Sequence, residues 1–389
     1  MREQAAPPRP ALSRNTSGVA DALSIRYNAK VYALQRAGRP VRVLSLGEAF
    51  FDLPEVDVRD LPYPASFHYS DSRGLPELRE KIAAYYTSTY GTPVDPAREI
   101  VVTAGSKAAI YMTLLSILDK GDEVLIPEPA WVSYTEQVRL CRGVPVGIPY
   151  TAEPADWERY VTPRTKALII NSPHNPTGRR YPAEVLEALV ALARRHGIWL
   201  LCDEAYSDFT PEPFVSVAHF DPAKEHVAVF NSISKNYGIS GWRLGYAIAN
   251  PALTDEILKV NQHLVTCPAT ILEYYVARHF ETILDVTKPQ IRRLLETRAE
   301  VARRMDRIGL AYLPGDSTFY FFVSIAPSAL SSEEFCTRLL EENAICVVPG
   351  IGYGRSCDAF VRVSIGTEPL ETVTQALTEL KALIDATAR

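Results

Sequence analysis

Between residues 100 and 250, short apolar runs alternate with longer stretches in which apolar positions return at helical spacing. The runs are Ile100–Thr103, Val124–Ile126, Val144–Ile148, Ala167–Ile170, Ile198–Cys202, Val227–Phe230 and Leu244–Ala249. The stretches between them include Lys107–Leu118, entered through Ala104-Gly105-Ser106, and Tyr181–Arg195. The second of these ends at His196-Gly197, a helix C-cap signal just before the next run. This alternation predicts an α/β unit, about seven strands in a mostly parallel sheet lying between helices.

From about residue 270 the pattern changes. Charged helical stretches at Lys288–Ile308, Ser332–Asn343 and Leu370–Ala386 alternate with strand-like runs at Phe319–Val323, Ile345–Val348 and Phe360–Ile365, which predicts a smaller α+β domain. Ahead of the sheet, a helical stretch (Ile25–Ala37) and a short strand (Val41–Gly47) are expected to pack with that C-terminal domain. The first residues are rich in proline, alanine and arginine and lack the apolar core of a signal peptide. The expected organisation is a flexible tail over 1–19, a segment over 20–60, a large domain over 61–269 and a small domain over 270–389. No internal repeat interrupts it.

Composition narrows the partners. A chain of 389 residues with 47% apolar and 22% charged residues buries a sizeable core, and a formal charge of −5 leaves no basic footprint for nucleic acid. Small molecules become the expected ligands. Six cysteines without a C-x-x-C pair fit a reducing cytoplasm. Seven histidines do not cluster with them at zinc-site spacings, so no metal is expected. No run of 18 apolar residues is present, and no membrane span is expected.

The candidate chemistry sits where apolar runs end. In open α/β sheets ligands bind beyond the carboxyl ends of strands. There the chain places Asn171-Ser172-Pro173-His174-Asn175-Pro176-Thr177-Gly178, then Asp203-Glu204-Ala205-Tyr206, then Asn231-Ser232-Ile233-Ser234-Lys235 with Arg243 eight positions on. Lysine amines form Schiff bases, and pyridoxal phosphate is held that way; alone, Lys235 reads equally as a surface lysine in a polar loop. A carboxylate at Asp203 in apolar surroundings needs a cationic partner. A protonated pyridine nitrogen supplies one, and a turn cap is the plainer alternative. Gly105-Ser106, between strand and helix, converges backbone amides and helix dipole where a phosphate fits. Arg243 adds a bidentate contact to the same phosphate or makes a surface salt bridge.

Six segments together resemble the pyridoxal-phosphate aminotransferases of the aspartate/aromatic (class I/II) family, fold type I, over nearly the whole chain. They are Leu46-Gly47-Glu48, Tyr69–Arg79 (YSDSRGLPELR), Thr103–Lys107 (TAGSK), Asn171–Gly178, Asp203–Tyr206 (DEAY) and Ser232–Arg243. The resemblance implies that Lys235 is the Schiff-base lysine and proton carrier, Asp203 the partner of the pyridine nitrogen, and Tyr206 and Asn175 partners of the ring's 3-oxygen. It assigns Trp131 to the ring face, and Gly105, Ser106, Lys107, Ser232, Ser234 and Arg243 to the cofactor, chiefly its phosphate. Tyr69 resembles a tyrosine reaching the phosphate of a neighbouring subunit, which implies a homodimer with shared sites. Arg362, alternating with apolar residues in Phe360-Val361-Arg362-Val363, matches the arginine for the substrate's α-carboxylate, with Gly47 beside it.

Two departures bear on substrate. Ala49-Phe50-Phe51 stands where many relatives have a Pro-Asp-Phe sequence, placing an aromatic, Phe50, in a loop expected to border the substrate. Lys107 matches a position where some relatives contact a distal carboxylate, although a first-turn lysine facing solvent is an equal reading. His174 is expected as a turn residue. The function implied is transfer of an amino group from an L-amino acid to a 2-oxo acid by a ping-pong mechanism. A lyase, cyclase or oxidase using the same cofactor is the alternative. Regulators resembling this family carry a helix-turn-helix domain ahead of the aminotransferase-like part, and only a short stretch precedes Ala20 here.

Overall fold

The computed structural model describes Pro10 and residues Leu12–Ala388. The expected tail therefore lies outside the described residues over 1–9 and at 11. After it, α1 (Arg14–Ser17) is one turn capped by Ser13, whose Oγ accepts from the Asn15 amide at 3.2 Å. The Ala20 amide donates to Glu136 Oε2 at 3.1 Å. Then α2 (Leu23–Arg36) and β1 (Arg42–Val43) follow.

The central unit runs α3 (Pro76–Tyr90), β2 (Ile100–Thr103), α4 (Ser106–Ile117), β3 (Glu123–Pro127), α5 (Ser133–Leu140), β4 (Val144–Ile148) and β5 (Thr165–Asn171). It continues through α6 (Ala183–His196), β6 (Trp199–Asp203), β7 (Val227–Ser232), α7 (Ile233–Asn236), β8 (Gly245–Ile248) and α8 (Pro251–Leu264). The seven strands lie in the order β2-β8-β7-β6-β5-β3-β4. All are parallel except β8, which runs antiparallel to both neighbours. The chain between β7 and β8 holds only short helical turns, too little for a packed crossover helix, so it folds straight back. Every residue of β2, β7 and β8 is buried, as strands covered on both faces require. Gly91 and Gly197 end α3 and α6 in the left-handed conformation that glycine adopts without a Cβ penalty.

The register brings the functional strand ends level. Asn171 pairs with Asp203, and Asp203 with Phe230, so β5, β6 and β7 open onto one crevice.

Beyond α8, a 38-residue helix, α9 (Thr270–Arg307), departs from helical geometry at His279 and contains Pro289. Then come β9 (Tyr320–Ser324), α10 (Ser332–Asn343), β10 (Ile345–Cys346), β11 (Val348–Pro349), β12 (Phe360–Ser364) and α11 (Leu370–Ala386). A capping box between Ser331 and Glu334 starts α10. β12 lies between β11 and β9, antiparallel to both, with Arg362 opposite Phe322. The N-terminal segment is sewn onto this part, since β1 pairs in parallel with β10 and Tyr27, Val31, Val43 and Leu44 share its core.

The helix α9 belongs to both cores. Tyr275, Val276, Phe280, Ile283 and Leu284 pack with the central sheet's residues, whereas Ile291, Val301 and Met305 pack with β9, β12 and α11. The boundary expected at 270 thus falls ahead of a stretch that packs with the large domain, and we place the division within α9 near residue 285. Leu339 is fully buried in the second core. Truncating Leu339→Ala is expected to cost about 2–5 kcal/mol, measured by urea unfolding followed by circular dichroism.

Candidate active site

Ser232 ends β7 and caps α7, its Oγ accepting from the Ser234 amide at 3.0 Å. That single turn presents Lys235 at the strand's carboxyl end. It faces a cavity of about 450 Å³ lined by residues of the large domain, of the small domain and of the N-terminal segment. The Lys235 ammonium donates to the Gly47 carbonyl, so a large-domain lysine touches the segment sewn to the small domain. Burial pushes the Lys235 amine down to about 8, with Arg362 and Arg243 acting in the same direction and Glu48 and Asp203 opposing.

Asp203 closes β6 and is buried. Its Oδ2 accepts from the Tyr134 hydroxyl at 2.8 Å and its Oδ1 from the Ala205 amide at 3.1 Å. Desolvation raises its carboxyl to about 6 despite those two donors and the nearby Lys235. Tyr134 stands one helical turn after Trp131, and their rings meet edge to face at 5.3 Å. One tyrosine therefore braces both the carboxylate and the indole. Lys107, exposed on the first turn of α4, lays its ammonium 4.9 Å from the Trp131 ring centre.

The other end of the cavity is an anion cradle. No side chain caps α4, whose N-cap is Gly105 at φ +87°. A Cβ there would run into the Arg243 guanidinium, and one at Gly245 would strike the Gly105–Ser106 backbone. Arg243 itself sits in the left-handed region at φ +55°, which costs a non-glycine residue roughly 1 kcal/mol or more. Its Nη1 donates to Ser234 Oγ at 3.2 Å and to the Ser240 carbonyl at 2.6 Å. Free helix amides, three serines (Ser106, Ser232, Ser234) and a forked cation thus converge on one spot.

Opposite stands Arg362 of β12, almost wholly buried. Its Nη2 donates to the Ser45 carbonyl at 2.6 Å and its Nη1 to Asn175 Oδ1 at 3.4 Å, while Nε has no partner among the described residues. The guanidinium lies over the Tyr320 ring at 4.6 Å. Tyr320 hydroxyl meets Tyr206 hydroxyl at 2.9 Å, and Asn175 Nδ2 reaches Tyr206 at 3.5 Å. Asn171 accepts from the Asn175 amide at 2.7 Å and so fixes that loop.

All the expected site residues except two line this one cavity. Gly105 lies just behind it, pressed against Arg243, and Tyr69 is on the surface with 85% of its area exposed. Phe50 does not border the cavity; it is 65% exposed, and the neighbouring Phe51 stacks on Phe209 instead. His174 is a buried turn residue, bonded through Nδ1 to Thr177 Oγ1 at 2.7 Å and pushed down to about 4 by burial. Tyr134 and Tyr320 are the additions to the expected set. Tyr134 lies three residues after Trp131 but carries no signal of its own in the sequence, and Tyr320 is disclosed only by the pairing of β9 with β12.

A lysine and an aspartate at the strand ends of this sheet, facing an arginine of β12 across one cavity, make a site suited to group-transfer chemistry on a small anionic molecule, and comparison with known proteins identifies the class. The model of the aminotransferase class I and II family matches residues 62–380. An aromatic-amino-acid aminotransferase of Thermococcus litoralis is 33% identical over 87% of this chain and 90% of its own. The aspartate/prephenate aminotransferase of Thermus thermophilus is 34% identical over 92% and 94%. Among solved structures, the aspartate aminotransferase from Thermus thermophilus with maleate superposes with a TM-score of 0.87 at 31% identity, covering 96% of this chain and all of that one. The chain belongs to the aminotransferase class I and II family and has its fold type I architecture; it is an enzyme of amino-group transfer.

Removing the Tyr134 hydroxyl tests its grip on Asp203. A hydrogen bond to a charged group contributes about 1.5–3 kcal/mol, so Tyr134→Phe is expected to raise the Asp203 pKa by roughly one to two units. Infrared titration of the carboxyl band, compared with Asp203→Asn, measures it.

Proposed function

We propose that the chain is a pyridoxal 5′-phosphate-dependent aminotransferase acting as a cytoplasmic homodimer, passing an amino group from an L-amino acid to a 2-oxo acid in two half-reactions. The single observation that carries this reading is the meeting of Lys235, Asp203 and Arg362, from two domains, in one cavity. The residues present fit the cofactor. The cradle of the α4 amides, Ser106, Ser232, Ser234 and Arg243 suits its phosphate, with glycines at the two positions where a Cβ would close that space. Asp203, held by two uncharged donors and desolvated, suits a protonated ring nitrogen. Tyr206 and Asn175 would face the ring oxygen, and Trp131 a ring face.

When bound, the cofactor supplies an electron sink for the charge left at the substrate's Cα. The chain's residues do the rest. Lys235 would hold the cofactor through its Nζ, and the same Nζ would take the proton from the substrate's Cα. An amine pushed down to about 8 is neutral for a useful fraction of the time near neutral pH, which suits a general base. Returning a proton to Cα in the second half-reaction uses the same atom. Arg362 binds the α-carboxylate through its planar fork, and burial among Tyr320, Tyr353 and Ser45 excludes the water that would weaken that contact. Lys107, which makes no ion pair among the described residues, supports a second carboxylate on the substrate. The names of the relatives, which include aspartate aminotransferases, support the same class.

The dimer reading rests on exposed apolar side chains gathered between residues 50 and 69. Tyr63, Phe67 and Tyr69 are 82%, 68% and 85% exposed, and Val56 and Val58 are about half exposed. Such a gathering on one segment marks an interaction surface, and Tyr69 would reach the partner's cradle.

Lys235→Ala is expected to lack the visible absorbance of lysine-bound cofactor and to lose transamination; normal turnover in that variant ends the proposal. The rate of cofactor capture by the wild type is expected to rise with pH and level off above about 8, because only the neutral amine attacks. Equilibrium sedimentation is expected to give twice the 43.2 kDa chain mass. Mixing Tyr69→Phe with Lys235→Ala chains is expected to yield hybrid dimers whose one intact site restores activity; no recovery on mixing counts against shared sites.

A further inference from the structure

Arg298 of α9 is 2% exposed, yet it pairs with no carboxylate among the described residues. A buried guanidinium is costly unless its donors are satisfied. Here three main-chain oxygens do this. Nε donates to the Ser317 carbonyl at 2.9 Å, and Nη2 donates to the carbonyls of Thr177 at 3.3 Å and Tyr320 at 3.1 Å. The plane of the group lies 4.2 Å from the Phe321 ring centre.

Those oxygens belong to two segments, the loop after β5 and the stretch that leads into β9. Thr177 is two residues beyond Asn175 in the loop after β5, whereas Tyr320 starts β9, the strand paired with Arg362. The same junction is reinforced at the backbone. The amides of Asp316 and Ser317 both donate to the Gly178 carbonyl, at 3.1 and 2.9 Å. Gly178 has φ +76°, and a Cβ on it would run into the Ser317 carbonyl and the Arg298 guanidinium. At the surface, Arg180 forks onto both oxygens of Asp316 at 3.2 and 3.0 Å. The loop is therefore fixed at one end by its own sheet, through Asn171 and Asp203, and at the other by the small domain.

We propose that Arg298 is a positioning residue that rivets the Asn175 loop to the β9 strand, and so sets the spacing between Asn175 with Tyr206 on one side and Arg362 with Tyr320 on the other. Arginine is required because one planar group must serve three carbonyls at once; a lysine carries the charge but cannot fork. The phosphate cradle of Ser106, Ser232, Ser234 and Arg243 makes no hydrogen bond to Arg298 or to the loop it holds, so the rivet acts on the ring and substrate end of the cavity.

The test uses three full-length variants, Arg298→Met, Arg298→Lys and Gly178→Ala. The last strains the same junction without removing the arginine and serves if Arg298→Met does not fold. Amide hydrogen exchange is expected to quicken at residues 172–180 and stay unchanged in β3 and β7. In cofactor-loaded enzyme, KM for the amino donor is expected to rise on the order of 10-fold to 100-fold, as small misplacements of substrate-positioning groups do. Arg298→Lys should fall between wild type and Arg298→Met. Unchanged exchange at 172–180, a uniform quickening over the whole chain, or full rescue by lysine would each overturn the proposal. The kinetic arm rests on the pyridoxal-phosphate reading and the exchange arm does not. A wild type that captures no cofactor would sink that reading while the exchange result still decides the role of Arg298.

Discussion

Asp203 is a carboxylate at the end of a strand sealed on both faces, and the cavity is arranged around the cost of keeping it there. Burial alone would drive the group to its neutral form. Tyr134 and the Ala205 amide resist that drive with hydrogen bonds, and Lys235 resists it with charge. The lysine is subject to the opposite pressure, since desolvation favours its neutral form. Burial is the largest influence on both groups, and the charge of each on the other is a smaller counterweight. A lysine amine pushed down to about 8 is what proton transfer near neutral pH requires.

The second organising constraint is closeness of backbone. At Gly105 against Arg243, Gly245 against the α4 start, and Gly178 against Ser317, no side chain fits. These contacts let three loops and a helix terminus meet without a layer of side chains between them. The arginines then fill the angles that remain. Arg243, Arg298 and Arg362 each donate to main-chain carbonyls, so all three fix the geometry of the segments they join.

Much of this was legible in the sequence for a local reason. Strands buried on both faces read as apolar runs, and the polar residues ending β5, β6 and β7 stand out against them. The register that sets Asn171 level with Asp203 then follows from parallel pairing. The helices α3 and α8 were not read in the same way. The inner face of α3 buries Arg79, Tyr86 and Tyr90 beside its aliphatic residues, so it lacks a clean apolar stripe. Tyr320 was hidden for a different reason: it sits within an apolar strand, and only its partner strand, carrying Arg362, shows which cavity it faces. The exposed position of Phe50 depends on how a loop turns over Gly366, which no spacing rule anticipates.

The helix α9 carries one more consequence. Because its first turns are buried in the large-domain core and its last turns in the small-domain core, the C-terminal lobe cannot be lifted out as an independent folding unit. A fragment starting at residue 270 would present Tyr275, Val276, Phe280, Ile283 and Leu284 to water, and the remaining sheet would lose the cover they provide. The two lobes are in that sense one folding unit. Neither can be shuffled into another chain without a replacement for the shared helix.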